Sequence, residues 1–160
     1  MNRAIKSAVS IFAAVLCLAA PVSGSAATYK LMKTNVTGLR LRDINTRAVK
    51  RTLPKGTRLL YVNKTSGAMY RVVTTNGQPG LVYKEYLSKY GAVNSKSVYQ
   101  VNKGSTPMYA KASTSSKRNR YLSKNTVVIV YSKNATWAYC KTMEGKAGYI
   151  QMSRLKKGAF

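Results

Sequence analysis

An internal repeat constrains this chain more than any other feature of its sequence. Residues 53–62 (LPKGTRLLYV) return in degenerate form as residues 122–131 (LSKNTVVIVY), and residues 76–82 (NGQPGLV) return as residues 144–150 (EGKAGYI). The two pairs are offset by 69 and 68 positions. Two copies at a nearly fixed spacing indicate one structural module that is used twice.

Each copy has the pattern of a short antiparallel β-module. Residues 58–62 and 69–74 are rich in β-branched and aromatic residues and are bounded by turn residues, as strands are. Asn76-Gly77 predicts a two-residue type I′ hairpin, in which both central residues have positive φ. Gly80 and Gly148 are expected to mark a bend or bulge at the start of the next strand. The sequence therefore predicts an all-β fold of two small five-stranded barrels in tandem.

The order of these motifs resembles the bacterial SH3 domain, the cell-wall-associated relative of the SH3 barrel. The motifs are LRLR at 39–42, LPKGT at 53–57, GQPGLV at 77–82 and YL at 86–87 in the first copy, and LSKNT at 122–126, WAYC at 137–140, GKAGYI at 145–150 and Leu155 in the second. The chain departs from the family pattern at Met69, where the family usually has Trp, at Asn125, where it has Gly, and at the opening motif MYAK. The resemblance covers roughly residues 36–155 and implies two SH3-like barrels.

The amino terminus has the pattern of a secretory signal peptide. Basic residues Arg3 and Lys6 precede an apolar run over residues 8–20, and small residues follow up to Ala27. The apolar run is shorter than the ~20 residues that a membrane-spanning helix needs, so we expect cleavage near Ala27, secretion and no transmembrane segment. The expected order is a signal peptide at 1–27, a first barrel at 28–88, a linker or first strand of the second barrel at 89–104, and a second barrel at 105–160.

The charge of the chain is strongly positive. It has 28 basic residues and three acidic ones, and removal of Arg3 and Lys6 would lower the formal net charge by two, from +25 to +23. Typical soluble surfaces carry a net charge of magnitude ~2 to 8. Such a field predicts polyanionic partners, either phosphate-bearing wall polymers or anionic lipid head groups. Nucleic acid is less favoured, because no phosphate-cradling loop or RNA-binding motif accompanies the charge.

Candidate catalytic and metal-binding residues are few. The chain has no His, so neither a Ser-His nor a Cys-His pair can form. Asp43, Glu85 and Glu144 are too scattered for the facing carboxylates of a glycosidase. Cys140 aligns with Val72 of the first copy and is expected to be a buried core thiol. One thiol without imidazole is a poor metal site, so we expect a non-catalytic protein without metal or cofactor.

Strand parity indicates which aromatic residues face outward. Successive side chains of a strand point to opposite faces. If Cys140 lies in the core, Trp137 faces outward, and if Ile150 lies in the core, Tyr149 faces outward. These rings either line a ligand groove or cover the edge of a barrel too small to bury them, since domains of this size bury only ~60% of their surface.

The SH3 resemblance implies further groove residues. Residues 80–87 (GLVYKEYL) are similar to the closing segment of SH3 barrels, where the residue after the core aliphatic residue and a later Tyr line the peptide groove. By position these are Tyr83 and Tyr86 in the first copy, and Gln151 and Arg154 in the second. The candidate ligand-binding residues are Tyr83, Tyr86, Trp137, Tyr149 and Arg154.

Together these features predict a secreted, non-catalytic protein that binds the cell wall or envelope. The resemblance implies peptidoglycan stem peptides or bridges as ligands, and the charge implies anionic wall polymers or lipid head groups. Two alternatives remain open. One is a secreted binder of nucleic acid or another anionic surface that acts by charge, and the other is an adaptor for an envelope protein.

Overall fold

The structure is a computed structural model that describes residues 27–65 and 67–160. The signal peptide predicted at residues 1–27 lies outside these ranges except for Ala27. Strands and short single-turn 3-10 helices make up the described secondary structure. The strands form two separate antiparallel sheets, each with seven strands.

The first sheet, module 1, is built from residues 28–94. Its strands are β1 (Thr28–Thr34), β2 (Leu39–Arg42), β3 (Val49–Leu53), β4 (Arg58–Lys64), β5 (Met69–Thr74), β6 (Pro79–Tyr83) and β7 (Leu87–Asn94), with a 3-10 helix, η1 (Lys84–Tyr86), before β7. Their order across the sheet is β3-β2-β6-β5-β4-β1-β7. The leading strand β1 therefore lies between β4 and β7 and pairs with both.

The second sheet, module 2, repeats this arrangement. The 3-10 helix η2 (Ser95–Ser97) leads into β8 (Val98–Val101), β9 (Thr106–Tyr109), β10 (Arg118–Leu122), β11 (Val127–Lys133), β12 (Trp137–Thr142), β13 (Ala147–Gln151), η3 (Met152–Arg154) and β14 (Leu155–Lys157). The order β10-β9-β13-β12-β11-β8-β14 matches that of module 1 strand for strand. The prediction of an all-β tandem fold is confirmed, with seven strands in each sheet instead of five.

The boundary between the modules lies at η2. Residues 89–94, expected in a linker or in the second barrel, belong to β7 and pair along β1. Val93 also packs beside Tyr29 of β1 in an apolar cluster. The backbone pairing with β1 holds the segment on module 1, so the first strand of module 2 is β8.

Each module has its own apolar core. The core of module 1 is formed by Met32, Leu39, Leu41, Leu53, Leu59, Val72 and Val82. The core of module 2 is formed by Tyr99, Val101, Met108, Leu122, Val128, Val130, Ala138, Cys140, Ile150 and Leu155. The prediction that Cys140 is a buried core thiol is confirmed, and Ile150 is buried in the same core. Burial raises the pKa of the Cys140 thiol to about 12.

A third apolar cluster, the junction, joins the two modules. Its buried members are Leu60 and Val73 from module 1 and Val98, Val127 and Met143 from module 2. Leu60 and Val73 each follow a core residue of module 1 directly, so they point to the opposite side of the sheet. Strands β4 and β5 are therefore buried on both faces.

Two hydrogen bonds cross the junction at matching positions. Arg58 Nη1 donates to the Met143 carbonyl at 2.7 Å, and the Val127 amide donates to the Thr75 carbonyl at 2.8 Å. Arg58 and Val127 occupy equivalent positions of the repeat, and so do Thr75 and Met143. The junction thus uses the same surface of both modules, as a two-fold contact between protomers does.

The hairpin turn after β5 differs from the prediction. Positive φ occurs at Gly77 (77°) and not at Asn76. The Gly77 amide donates to the Thr74 carbonyl at 2.9 Å, and the Thr74 amide donates to the Gln78 carbonyl at 3.0 Å. This is a three-residue loop closed by a left-handed glycine, and the turn after β12 has the same form, with φ 90° at Gly145.

Gly80 and Gly148 allow a close approach of strands and do not mark a bulge. The pairing of β5 with β6 and of β12 with β13 passes through them without a register shift. A Cβ at Gly80 would lie 2.5 Å from Leu41 Cδ1 and 2.8 Å from the Arg42 carbonyl oxygen, and one at Gly148 would lie 2.5 Å from Met108 Cγ. A core side chain of the neighbouring strand lies over each glycine.

We expect Gly80→Ala to destabilise module 1 by about 1–3 kcal/mol, because the added methyl group overpacks the core. Gly91→Ala is the control, since its Cβ would meet Leu31 Cδ1 at an ordinary 3.6 Å, and it should change stability by less than about 0.5 kcal/mol. Urea unfolding of both variants measures the difference. Equal midpoints for the two variants would contradict the assigned role of Gly80.

Candidate functional site

Basic side chains dominate the surface of the protein. Within residues 27–65 and 67–160 one ion pair is formed, between Lys50 Nζ and Asp43 Oδ2 at 2.9 Å. The chain has 28 basic residues against three acidic ones, so internal pairing neutralises little of the charge. The surface consequently has a strongly positive potential that attracts anions.

Tyr83 and Tyr86 lie together in a groove of module 1, which we call groove 1. Its volume is about 490 Å³, and it is lined by Val36, Thr37, Gly38, Leu39, Arg40, Arg42, Tyr83, Glu85 and Tyr86. The turn before β2 and β2 itself form one wall, and the end of β6 with η1 forms the other. Groove 1 therefore combines two tyrosines, two arginines and one glutamate with the apolar residues Val36 and Leu39.

Backbone hydrogen bonds hold the wall that carries the two tyrosines. The Lys84 amide donates to the Ala68 carbonyl at 2.9 Å, and the Asn35 amide donates to the Tyr86 carbonyl at 2.9 Å. At the surface, the neighbouring Glu85 carboxylate raises the pKa of Tyr86 above its ordinary value. Tyr86 therefore stays a neutral hydrogen-bond donor at physiological pH.

Trp137 and Tyr149 lie in a groove of module 2, which we call groove 2. Its volume is about 240 Å³, and it is lined by Ala112, Ser132, Lys133, Asn134, Trp137, Tyr139 and Tyr149. The Trp137 ring packs edge-on against Tyr109 with a centroid distance of 5.5 Å. Tyr139 and Tyr149 lie 5.2 Å apart. These ring contacts give groove 2 an aromatic wall with one ammonium group beside it.

The rings of groove 2 belong to an aromatic row across the outer face of module 2. Tyr139 is paired with Tyr149, and Tyr149 with Tyr109, in adjacent strands. We use the name aromatic row for Tyr109, Trp137, Tyr139 and Tyr149. Sequence reasoning missed two members. Tyr139 lies two residues after Trp137 on the same strand, so the alternation of side chains could have predicted that both rings face the same way. Tyr109 could not be found in this way, because its place in the row depends on the pairing of β9 with β13.

Arg154 is not part of either groove. It lies in η3, where its carbonyl accepts a hydrogen bond from the Asn102 amide at 2.9 Å. The residue opposite Trp137 on β13 is Gln151. The structure therefore brings Tyr83 and Tyr86 together in one module and Trp137 and Tyr149 together in the other, with Arg154 apart from both pairs.

The outer face of module 1 has arginine where the aromatic row has tyrosine. Matching strand pairs place Arg42, Leu81 and Arg71 of module 1 at the positions of Tyr109, Tyr149 and Tyr139 of module 2. Met69 takes the position of Trp137. One module thus presents guanidinium groups on this face, and the other presents rings.

The described part of the chain contains no helix with the length and apolar character needed to cross a membrane. Over the same residues, no three or more His, Cys, Asp or Glu side chains are grouped so that they could hold a metal ion. The chemical groups that the two grooves offer are aromatic rings, guanidinium and ammonium groups, and the Glu85 carboxylate.

No protein-family model and no curated protein matches this chain. Among solved structures, it is similar to NlpC2 from Trichomonas vaginalis, with 12% identity and a TM-score of 0.34 over 81% of this chain and 48% of that one. It is also similar to NlpC1 from Trichomonas vaginalis, with 13% identity and a TM-score of 0.35 over 85% of this chain and 48% of that one. The chain spans about half the length of these structures.

Proposed function

We propose that this protein is a secreted, non-catalytic binding protein of the bacterial cell envelope, which attaches to anionic wall polymers and peptidoglycan through two SH3-like modules. The observation that carries the proposal is a positive surface with one internal ion pair, Lys50 with Asp43, among the described residues. Because the basic side chains are not neutralised within the protein, their counter-charges must come from partners and solvent ions.

The two grooves supply recognition beside this general attraction. Groove 1 places Arg40 and Arg42 beside Tyr83 and Tyr86, and the aromatic row offers ring faces for stacking with Lys133 at its edge. Guanidinium groups bind carboxylates and phosphates, and rings bind apolar or cationic groups. Such sites suit peptide and glycan segments of peptidoglycan, the ligand class that the SH3 resemblance also implies.

A non-catalytic role is supported by the environment of Asp43. The Asp43 carboxylate accepts a hydrogen bond from Lys50 and from the amides of Thr46 and Asn45, and these bonds hold its pKa well below the ordinary range. A carboxyl group of that kind is a poor general acid near neutral pH. Export is supported by the signal-like sequence at residues 1–27.

Binding to purified bacterial walls tests the proposal. Affinity should fall steeply with salt, because exposed charges are screened beyond a Debye length of ~8 Å at physiological ionic strength. Trp137→Ala should lower affinity by about 1–3 kcal/mol, or about 5- to 150-fold, and this effect should persist at high salt. Lys124→Ala, a control at one exposed charge, should cost a fraction of that.

Four results would count against the proposal. Wall binding that is independent of salt would remove the polyanionic partner, and a Trp137→Ala variant that binds like the parent would remove groove 2 from recognition. Release of soluble fragments or reducing ends from peptidoglycan by the pure protein would show catalysis. Tighter binding to duplex DNA than to walls would favour the nucleic-acid alternative.

A further inference from the structure

Two guanidinium groups on the outer face of module 1 have unused hydrogen-bonding capacity. Arg42 Nε and Arg71 Nε are both buried, and neither has a hydrogen-bond partner among the described residues. Arg42 on β2 and Arg71 on β5 stand opposite Leu81 of the intervening strand β6. Buried donors in native structures nearly always have an acceptor, so two buried N–H groups without one on the same face need an explanation.

The packing around Leu81 shows how the two arginines come to lie close together. Leu81 points away from the module 1 core, since its neighbour Val82 belongs to that core, yet it is only 1% exposed. The side chains on either side of it in register are Arg42 and Arg71, whose stems can cover apolar surface while their ends stay near solvent. Strands lie about 4.8 Å apart, so the two Cα atoms are about 10 Å apart and both guanidinium groups can reach one anion.

A third guanidinium group lies at the same place. Arg42 Nη1 donates to the Arg47 carbonyl at 3.1 Å, and Arg47 Nη1 lies 3.4 Å from Met69 Sδ. Met69 precedes Arg71 by two residues on β5, so both side chains are on one face. Arg47 has a φ of 62°, a conformation that is uncommon outside glycine. The loop between β2 and β3 thus brings the positive charge of Arg47 to a face that already has two arginines.

The acidic groups near this cluster do not pair with its arginines. Asp43, which follows Arg42 in the chain, forms its ion pair with Lys50 at 2.9 Å. Glu85 lines groove 1 together with Arg42. Within the described residues it forms no ion pair with an arginine. None of the three guanidinium groups therefore forms an ion pair in the part of the chain that the structure describes.

We propose that Arg42, Arg47 and Arg71 form a binding site for a phosphate ester. The fork of a guanidinium group matches two phosphate oxygens at once, and the two terminal N–H groups form one such fork while the Nε–H groups of Arg42 and Arg71 lie beneath the surface. The equivalent face of module 2 has tyrosines, so the site is specific to module 1. This inference rests on the proposed function, because it names the anion that module 1 recognises.

Titration of the full chain with inorganic phosphate tests the site. The variant with Arg42→Lys and Arg71→Lys keeps the net charge but loses both forks, and its affinity should fall more than ten-fold. The matched control changes Arg51 and Arg120, both exposed on strands, to Lys and should bind like the parent. Equal affinity of the two double variants would overturn the inference.

A measurement on the parent protein keeps the test independent of folding of the variants. The Nε–Hε resonances of Arg42 and Arg71 should shift in a saturable manner with phosphate, while that of Arg51 should not. Uniform shifts of all arginine resonances that do not saturate would show that phosphate is attracted only by the overall positive potential of the protein. That result would overturn the site.

Two further probes separate the possible sources of the phosphate group. Soluble poly(glycerol phosphate) represents a wall polymer, and vesicles of phosphatidylglycerol, compared with phosphatidylcholine, represent a lipid surface. Dependence of either binding on Arg42 and Arg71 supports the inference and assigns the source, whereas dependence of neither overturns it. If the parent binds walls in a salt-dependent manner but no phosphate probe needs these arginines, this inference fails and the proposed function stands. Failure of the parent to bind walls removes the proposed function itself.

Discussion

Cys140→Arg is expected to unfold module 2. Cys140 is fully buried in the core of that module, and its thiol Sγ lies 3.6 Å from the Gly148 carbonyl. A guanidinium group at this position would have no counter-ion, and an unpaired buried charge costs several kcal/mol. The whole stability of a domain is only about 5–15 kcal/mol, so this single change should remove most of it.

The adjacent residue provides the matched control. Tyr139 lies on the outer face and is partly exposed, so Tyr139→Arg leaves the new charge in contact with water. The variant should lose little more than the stabilisation from the two ring contacts of Tyr139, with Tyr131 and Tyr149. Urea unfolding followed by Trp137 fluorescence compares the variants, because Trp137 is the single Trp of the chain. If Tyr139→Arg unfolds module 2 and Cys140→Arg leaves its midpoint unchanged, the inner and outer faces of β12 have been assigned in reverse.

The repeat and strand parity were sufficient to predict the fold class and much of the two cores. A repeated sequence folds into a repeated strand order because each copy presents the same alternation to its own core. The alignment of Cys140 with Val72 of the first copy is enough to predict its place in the core. The length of the turn after β5 was not predictable in the same way, since Asn76-Gly77 is compatible both with a two-residue loop and with a three-residue loop that ends in a left-handed glycine.

The sequence also contains an indication of the junction, in two pairs of adjacent apolar residues. Leu59 and Leu60 are adjacent apolar residues, as are Val72 and Val73. Adjacent apolar residues indicate a strand that is buried on both faces. An isolated barrel would need only one of each pair, so the second residue of each pair marks a contact outside the barrel.

Only part of the candidate site could be predicted from the sequence. Tyr83 and Tyr86 are three residues apart, and the short helix η1 brings them to one groove. Trp137 and Tyr149 meet because they lie on adjacent strands. Arg154 was assigned by position in the repeat, but its side chain is not among those that line groove 2. The arginine cluster of module 1 could not be foreseen, because it depends on the pairing of β2, β6 and β5.

The second large effect is expected at the junction, where Leu60→Ala with Met143→Ala should separate the unfolding of the two modules. Both side chains are buried in the junction cluster, and each truncation of this kind costs about 2–5 kcal/mol. The two effects need not add, since both residues belong to one cluster. Neither side chain belongs to the core of its own module, so each module should keep its fold while losing the support of the other.

Two probes can detect this separation. Far-UV circular dichroism follows both modules, whereas Trp137 fluorescence follows module 2 alone. In the parent protein the two urea transitions should coincide, because the junction couples the modules into one cooperative unit. In the double variant they should differ. Leu59→Ala makes the same kind of truncation one residue earlier, in the core of module 1, and should lower stability while the transitions stay together. If the double variant still unfolds with coincident transitions, contacts other than the apolar cluster couple the modules, and the hydrogen bonds of Arg58 and Val127 across the junction become the next groups to remove.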